Sequence, residues 1–133
     1  MEQGKIVLCD TDVMIEFYRG NTYVIGELMK IGQNNIALSY ITVGELIYGA
    51  FNKRELTKLK RDIGNLRLLD IDSKTCKMFA NLIEIYALSH RLAVPDGLIA
   101  ATAIVNDVEL YTLNKKDFRF IEGLKLYLEQ GVS

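Results

Sequence analysis

A chain of 133 residues with net charge −1, half of them apolar, is the length of one domain and can bury a core without disulfide or metal staples. That composition excludes a disordered tail, a collagen and a disulfide miniprotein. The near-neutral charge also argues against a nucleic-acid partner, since such binders usually carry a basic excess.

Ile6-Val7-Leu8-Cys9 is a continuous apolar run, the pattern of a strand buried on both faces. Asp10-Thr11-Asp12 stop it and offer N-caps for a helix through Phe17 and Tyr18 that ends at Gly20. A second helix is expected over Tyr23 to Ile31, with Gly32 as terminator. Ile36 to Tyr40 read as the second strand, followed by a helix from near Thr42 to Gly49. Asn52 to Asn65 is a strongly charged helix, and Leu66 to Ile71 a third strand. Ser73 can cap a long helix to Arg91 with Cys76, Phe79, Ala80, Ile83 and Ala87 inward. Pro95 stands where helices begin, and Asp96 to Asn106 is an alanine-rich helix able to approach a sheet closely. Glu109 to Leu113 reads as a fourth strand and Leu124 to Leu128 as a short fifth. This alternation predicts a single α/β domain over 1–133, a three-layer α/β/α sandwich around a mainly parallel sheet of four to five strands. Leu98 to Val105, uncharged and apolar, is too short to span a bilayer, and Glu2 followed by Ile6-Val7-Leu8 does not read as a signal peptide. A cytoplasmic protein with no membrane partner is expected.

Several chemistries drop out. Cys9 and Cys76 have no paired spacing, and Cys9 reads as a small buried hydrophobe. His90 is the sole histidine and suits the C-terminal end of its helix, which excludes HExxH zinc sites. No glycine pattern forms a nucleotide cradle or a nucleophile elbow.

The acids carry more. Functional groups of parallel α/β folds gather at strand carboxyl ends. Asp10 ends the first strand, Glu45 lies a turn into the helix after the second, Asp96 opens the alanine-rich helix, and Asn114 and Asp117 follow the fourth strand. Converging on one sheet edge, such acids would raise one another's pKa unless a divalent cation balanced them. Oxygen ligands without His or Cys suit Mg²⁺ or Mn²⁺, and the implied chemistry is phosphodiester hydrolysis. Each acid also has a local explanation. Asp10 and Asp12 fit turn and cap roles, Asp12 foremost; Thr42-Val43-Gly44-Glu45 fits a capping box; Asp96 fits a first-turn acid, and Asp117 a turn cap. Asp62, Asp70, Asp72 and Asp107 fall on charged faces or loops and are expected to be solvent-exposed.

Four blocks, in order and over nearly the whole chain, resemble PIN-domain ribonucleases of the VapC toxin type. They are Val7-Leu8-Cys9-Asp10-Thr11-Asp12-Val13-Met14-Ile15, Ser39-Tyr40-Ile41-Thr42-Val43-Gly44-Glu45-Leu46 with Gly49, Pro95-Asp96-Gly97-Leu98-Ile99-Ala100-Ala101-Thr102-Ala103, and Leu110-Tyr111-Thr112-Leu113-Asn114-Lys115-Lys116-Asp117-Phe118. The resemblance implies a PIN-like sandwich and a metal-dependent endoribonuclease acting on RNA with Mg²⁺ or Mn²⁺. It also implies the toxin of a type II toxin–antitoxin pair, homodimeric and held inactive by a VapB-like antitoxin. Asp10 and Asp96 would be direct metal ligands, with Glu45 and Asp117 completing the pocket directly or through water. Thr11 and Thr112 would support the carboxylates through their hydroxyls. The family places its fourth acid 18 residues after the third or a turn later, which here falls on Asn114 or Asp117. Asp117 is taken for its charge, with Asn114 orienting a carboxylate or a water. Asp12 stands where many relatives carry Asn, and Gly97 where a small apolar residue or Ala is usual. Phe17, Tyr18, Tyr23 and Ile25 are candidates for the antitoxin groove, or for ordinary core packing.

Two alternatives stand beside this reading. One is a PIN-type module that binds RNA or a partner without cutting. The other is a haloacid-dehalogenase-like phosphatase using Asp10 and Asp12, a pattern from which Val13-Met14 depart. Counting Asp10, Glu45, Asp96 and Asp117 as neutralised by metal turns the net charge from −1 to +3. Lys53, Arg54, Lys58, Lys60, Arg61 and Arg67, with Lys115, Lys116 and Arg119, are then free to follow a phosphate backbone.

Overall fold

The computed structural model describes residues 4–129. Four short strands, β1 (Val7–Cys9), β2 (Ile36–Ser39), β3 (Arg67–Leu69) and β4 (Glu109–Tyr111), form one parallel sheet in the order β3-β2-β1-β4. In register, Leu8 of β1 faces Ala37 of β2 and Leu110 of β4, while Leu38 faces Leu68 of β3. Six helices connect them: α1 (Thr11–Tyr18), α2 (Thr22–Ile31), α3 (Tyr40–Tyr48), α4 (Lys53–Ile63), α5 (Ser73–His90) and α6 (Val94–Val105).

Parallel crossovers are right-handed. The steps β1 to β2 to β3 run one way across the sheet and the step β3 to β4 runs back, so the helices divide between the two faces. The core divides with them. Val7, Cys9, Ile36, Leu38 and Tyr111 pack with Val13, Leu28 and Leu59 of the earlier helices. Leu8, Ala37 and Leu110 pack with Leu82, Ile99 and Ala103 of α5 and α6. Strands buried on both faces must be apolar at every position, which is why β1 and β2 read as unbroken apolar runs. Each fully buried Leu among them contributes about 1.5–3 kcal/mol.

Ala100, Ala101 and Ala103 are fully buried and let α6 lie close to the sheet. Gly97 does the same toward α5, since a Cβ there would stand 2.8 Å from Ile83 Cδ1. The glycine's helix penalty is exchanged for close packing of the two helices.

Several expected boundaries move. The fifth strand reduces to one parallel bridge, Leu110 with Leu126, so the sheet has four strands. Helix α3 starts at Tyr40, capped by Ser39 and not near Thr42, and α5 is capped by Asp72 instead of Ser73. Cys76 and Ala80 are exposed, and the buried residues of α5 are Thr75 and Leu82. Phe79 and Ile83, expected inward, do pack on the core, both beside Gly97 of α6. Asp62 is half-buried and accepts the Tyr18 hydroxyl at 2.8 Å, unlike the expected solvated acid. No helix among the described residues is long and apolar enough to cross a membrane.

Candidate active site

The strand order switches between β1 and β4, and the carboxyl ends of the strands at such a switch are the usual ligand position in open α/β sheets. The Asp10 N–H donates to the Tyr111 carbonyl at 2.8 Å, which carries the β1–β4 ladder one residue further. Its side chain then N-caps α1, accepting from the Thr11 N–H and from the Thr112 hydroxyl, both at 2.8 Å. Only 7% of Asp10 is exposed. Burial pushes its pKa above the ordinary carboxylate range; the Thr112 and Thr11 hydrogen bonds act against that, while Glu45 and Asp117 add to it.

Glu45 reaches the same place from α3. It accepts the Thr11 hydroxyl at 2.6 Å, and Thr11 lies 3.0 Å from the Thr42 hydroxyl. With its only proton on Glu45, Thr11 accepts from Thr42. Thr42 is therefore a fully buried link behind the carboxylate and caps nothing, so the expected Thr42–Glu45 capping box is absent. Asp96 lies half-buried in the first turn of α6, its pKa pushed up to about 6 by burial and then by Asp10, Asp117 and Glu45. Asp117 is exposed, in the 3₁₀ turn Lys115–Asp117 after β4. Four acids from four separate elements thus lie within electrostatic reach of one another.

Asp12 departs from its expected cap role. It accepts from the Leu113 N–H at 3.2 Å and from Asn114 Nδ2 at 3.0 Å, tying α1 to the loop after β4. Burial, then Asp10, pushes its pKa up to about 6. The Asn114 N–H donates in turn to the Thr112 hydroxyl at 3.1 Å, so one short loop holds both Asp10 and Asp12. Asp12 was the residue least legible as part of the site. Its partners lie 101 and 102 positions away, and its only signal was the departure from Asn.

Among the described residues, no three Asp, Glu, His or Cys side chains converge tightly enough to cage a metal by themselves. Among the described residues the ion pairs are Arg19–Glu16, Lys30–Glu27, Lys115–Glu129 and Lys125–Asp107, and none involves the five acids. Lys115, expected as a flanking cation, is committed to Glu129 at 2.9 Å. Cys9 is fully buried, and desolvation followed by Asp10 and Asp12 pushes its thiol up, keeping it protonated and inert. His90 closes α5 and stacks on Phe120 at 4.2 Å, away from the acids.

The family profile of the PIN domain matches residues 7–123. The chain belongs to the PIN-domain family. Within it, this PIN domain is of the VapC type: it is 31% identical over 122 residues to Ribonuclease VapC10 of Mycobacterium tuberculosis, covering 90% of this chain and 91% of that one. Its fold is similar to a toxin–antitoxin complex from Klebsiella pneumoniae, with TM-score 0.77, 27% identity and coverage of 89% and 94% of the two chains. It is also similar to VapBC2 from Rickettsia felis bound to a promoter DNA fragment, with TM-score 0.79, 26% identity and coverage of 92% and 97%. The matched span of this PIN domain runs from β1 past Asp117 and so includes every candidate acid. No observation favours the phosphatase alternative, in which Asp12 would have to serve as a free acid.

Proposed function

We propose that the protein is a divalent-metal-dependent endoribonuclease and the toxin half of a toxin–antitoxin pair. The observation that carries this reading is Asp96, raised by burial and then by Asp10, Asp117 and Glu45, among acids whose described hydrogen bonds all come from neutral donors. Such a pocket calls for a cation. Its oxygen-only donors fit Mg²⁺ or Mn²⁺, and Mg²⁺ keeps several waters and needs only one or two carboxylates, so a three-acid cage is not required. When bound, the ion polarises a phosphoryl oxygen and lowers the pKa of a water.

In this reading Asp10 and Asp96 hold the metal. Glu45 and Asp117 orient the attacking water for in-line hydrolysis of the RNA phosphodiester. Thr112 fixes Asp10 and Thr11 fixes Glu45 through their hydroxyls, and Asn114 fixes Asp12. The name of the relative VapC10 supports RNA as substrate.

The toxin–antitoxin complexes among the structural neighbours support a VapB-like antitoxin as partner. A groove of about 540 Å³ bordered by α1, α2 and α4, lined by Met14, Phe17, Tyr18, Ile25, Met29 and Lys58, would seat an apolar antitoxin segment. Of the four candidates named from sequence, Phe17, Tyr18 and Ile25 line it, and Tyr23 lies outside. Exposed Ile85 and Leu88 on α5 offer an apolar face for a homodimer. Free Cys9 and Cys76 suit the reducing cytoplasm.

The test is cleavage of a mixed RNA pool with Mg²⁺ or Mn²⁺ against EDTA. Asp10→Asn and Asp96→Asn are each expected to abolish cleavage while circular dichroism shows the fold retained. EDTA-resistant cleavage, or full activity in either variant, would sink the assignment.

A further inference from the structure

A depression of about 580 Å³ opens beside the acids. Tyr40, Gly44, Tyr48 and Pro95 line it, and Thr11 and Glu45 of the acid site form its near wall. Tyr40, Gly44 and Tyr48 stand at i, i+4 and i+8 on α3, one ridge of the helix spanning about 12 Å. The two rings are 47% and 93% exposed. Among the described residues neither side chain has a hydrogen bond or ring contact, in contrast to Tyr18, Tyr86 and Tyr127, although the Tyr23 and Tyr111 hydroxyls are also without a hydrogen bond.

Gly44 between them is an independent sign. Glycine inside a helix is destabilising relative to alanine. A Cβ at Gly44 would meet nothing of the chain within 4 Å, and its backbone is ordinary helix, so neither packing nor conformation requires it. What it does is keep a notch open between two aromatic side chains. A second groove of about 520 Å³ shares Ile15 and Glu45 with the first and is lined by Glu55 and by Lys58, which has no ion pair among the described residues.

We propose that the Tyr40–Gly44–Tyr48 notch takes a nucleobase of the substrate adjoining the scissile phosphate, its free face stacked on the tyrosines. The inference rests on the ribonuclease reading above. Stacking on protein aromatics requires a base whose face is free, which a paired duplex does not offer. Continuity with Glu45 and Thr11 makes the occupant the substrate's own base, because whatever fills the notch abuts the carboxylates.

The experiment compares wild type with Tyr40→Ala, Tyr48→Ala, Tyr48→Phe and Gly44→Ala. Cleavage of a labelled single-stranded RNA and of its duplex is measured with Mg²⁺. Binding is followed by 2-aminopurine quenching in an Asp96→Asn background, and oligomeric state by sedimentation velocity. Each Tyr→Ala change is expected to raise KM about 5- to 100-fold with kcat nearly unchanged, and Tyr48→Phe to keep wild-type affinity. Gly44→Ala is expected to raise Tm by about 3 °C while weakening RNA binding, an opposition that a purely structural role would not give. Cleavage by wild type with unchanged KM in both Tyr→Ala variants would overturn the notch alone. Equal cutting of duplex, or lost affinity that tracks a changed oligomeric state, would overturn it too, the latter assigning the ridge to self-association. Absence of RNA cleavage by wild type would overturn the ribonuclease reading and the notch with it.

Discussion

Replacing Asp96 with Asn is expected to stabilise the metal-free protein while destroying its response to metal. Asp96 is held at about 6 by burial and by three neighbouring acids, well above the carboxylate range of an unfolded chain. A separation of that size corresponds to a ceiling of about 3 kcal/mol. Water and salt screen a half-exposed group, so about 1–1.5 kcal/mol is the usable figure. At pH 7 Asp96 is ionised in both states, and the folded state alone bears the repulsion. As pH falls through about 6 the folded state takes up a proton that the unfolded state does not bind until about pH 4, so wild-type stability in EDTA rises over that window. Asn carries no charge at any pH. Thermal unfolding in EDTA at pH 7 should therefore show Asp96→Asn melting about 3–7 °C above wild type, with the gap closing toward pH 4–5. Saturating Mg²⁺ should reverse the order, since only wild type gains from binding, by about 2.7 kcal/mol at a hundred times Kd. A variant that melts below wild type in EDTA at pH 7, or a gap independent of pH, would refute the reasoning.

The supporting groups give two more tests. Thr112→Val removes the hydroxyl donor from buried Asp10 at constant shape, and metal affinity by titration calorimetry should fall about 10- to 100-fold with the fold kept; unchanged affinity would show that Thr112 does not orient the ligand. Asn114→Asp sets a second carboxylate against Asp12, and its unfolding free energy in EDTA at neutral pH should drop by about 1 kcal/mol and recover on acidification through pH 6; a pH-independent loss would mean lost packing and not repulsion.

The fold was legible where one constraint acts alone. Strands β1 and β2 are covered on both faces, so their apolar runs have no other reading. Helix starts were less so, because Ser39 and Thr42, like Asp72 and Ser73, both carry capping groups and local rules cannot choose between them. Burial of Thr42 and the seat of Asp72 on the Thr75 N–H decide each case. The stretch Leu124 to Leu128 looked like a strand, yet only Leu126 pairs, because β4 is three residues long and Tyr127 is drawn to the buried Glu27 carboxylate at 2.7 Å. Asp10, Glu45, Asp96 and Asp117 could be placed from strand ends, since the switch in strand order dictates where such ends meet. Asp12 could not, because its role depends on a loop a hundred residues away.

That loop also explains how a pocket so rich in like charge remains folded. Each hydrogen bond described to these carboxylates comes from a neutral donor: Thr11 N–H and Thr112 hydroxyl to Asp10, Thr11 hydroxyl to Glu45, Leu113 N–H and Asn114 amide to Asp12. A lysine or arginine in any of these places would satisfy the same lone pairs and cancel the charge as well. Neutral donors fix the oxygens' directions and leave the negative potential intact, which is the condition for an incoming cation to bind strongly. Burial and then mutual repulsion raise Asp12 and Asp96 in the metal-free fold, and a bound cation would relieve both. The basic residues of α4 and the loops are thereby spared from pairing with these acids. A chain of net charge −1 can in this way present acid to a metal and base to a phosphate backbone at once.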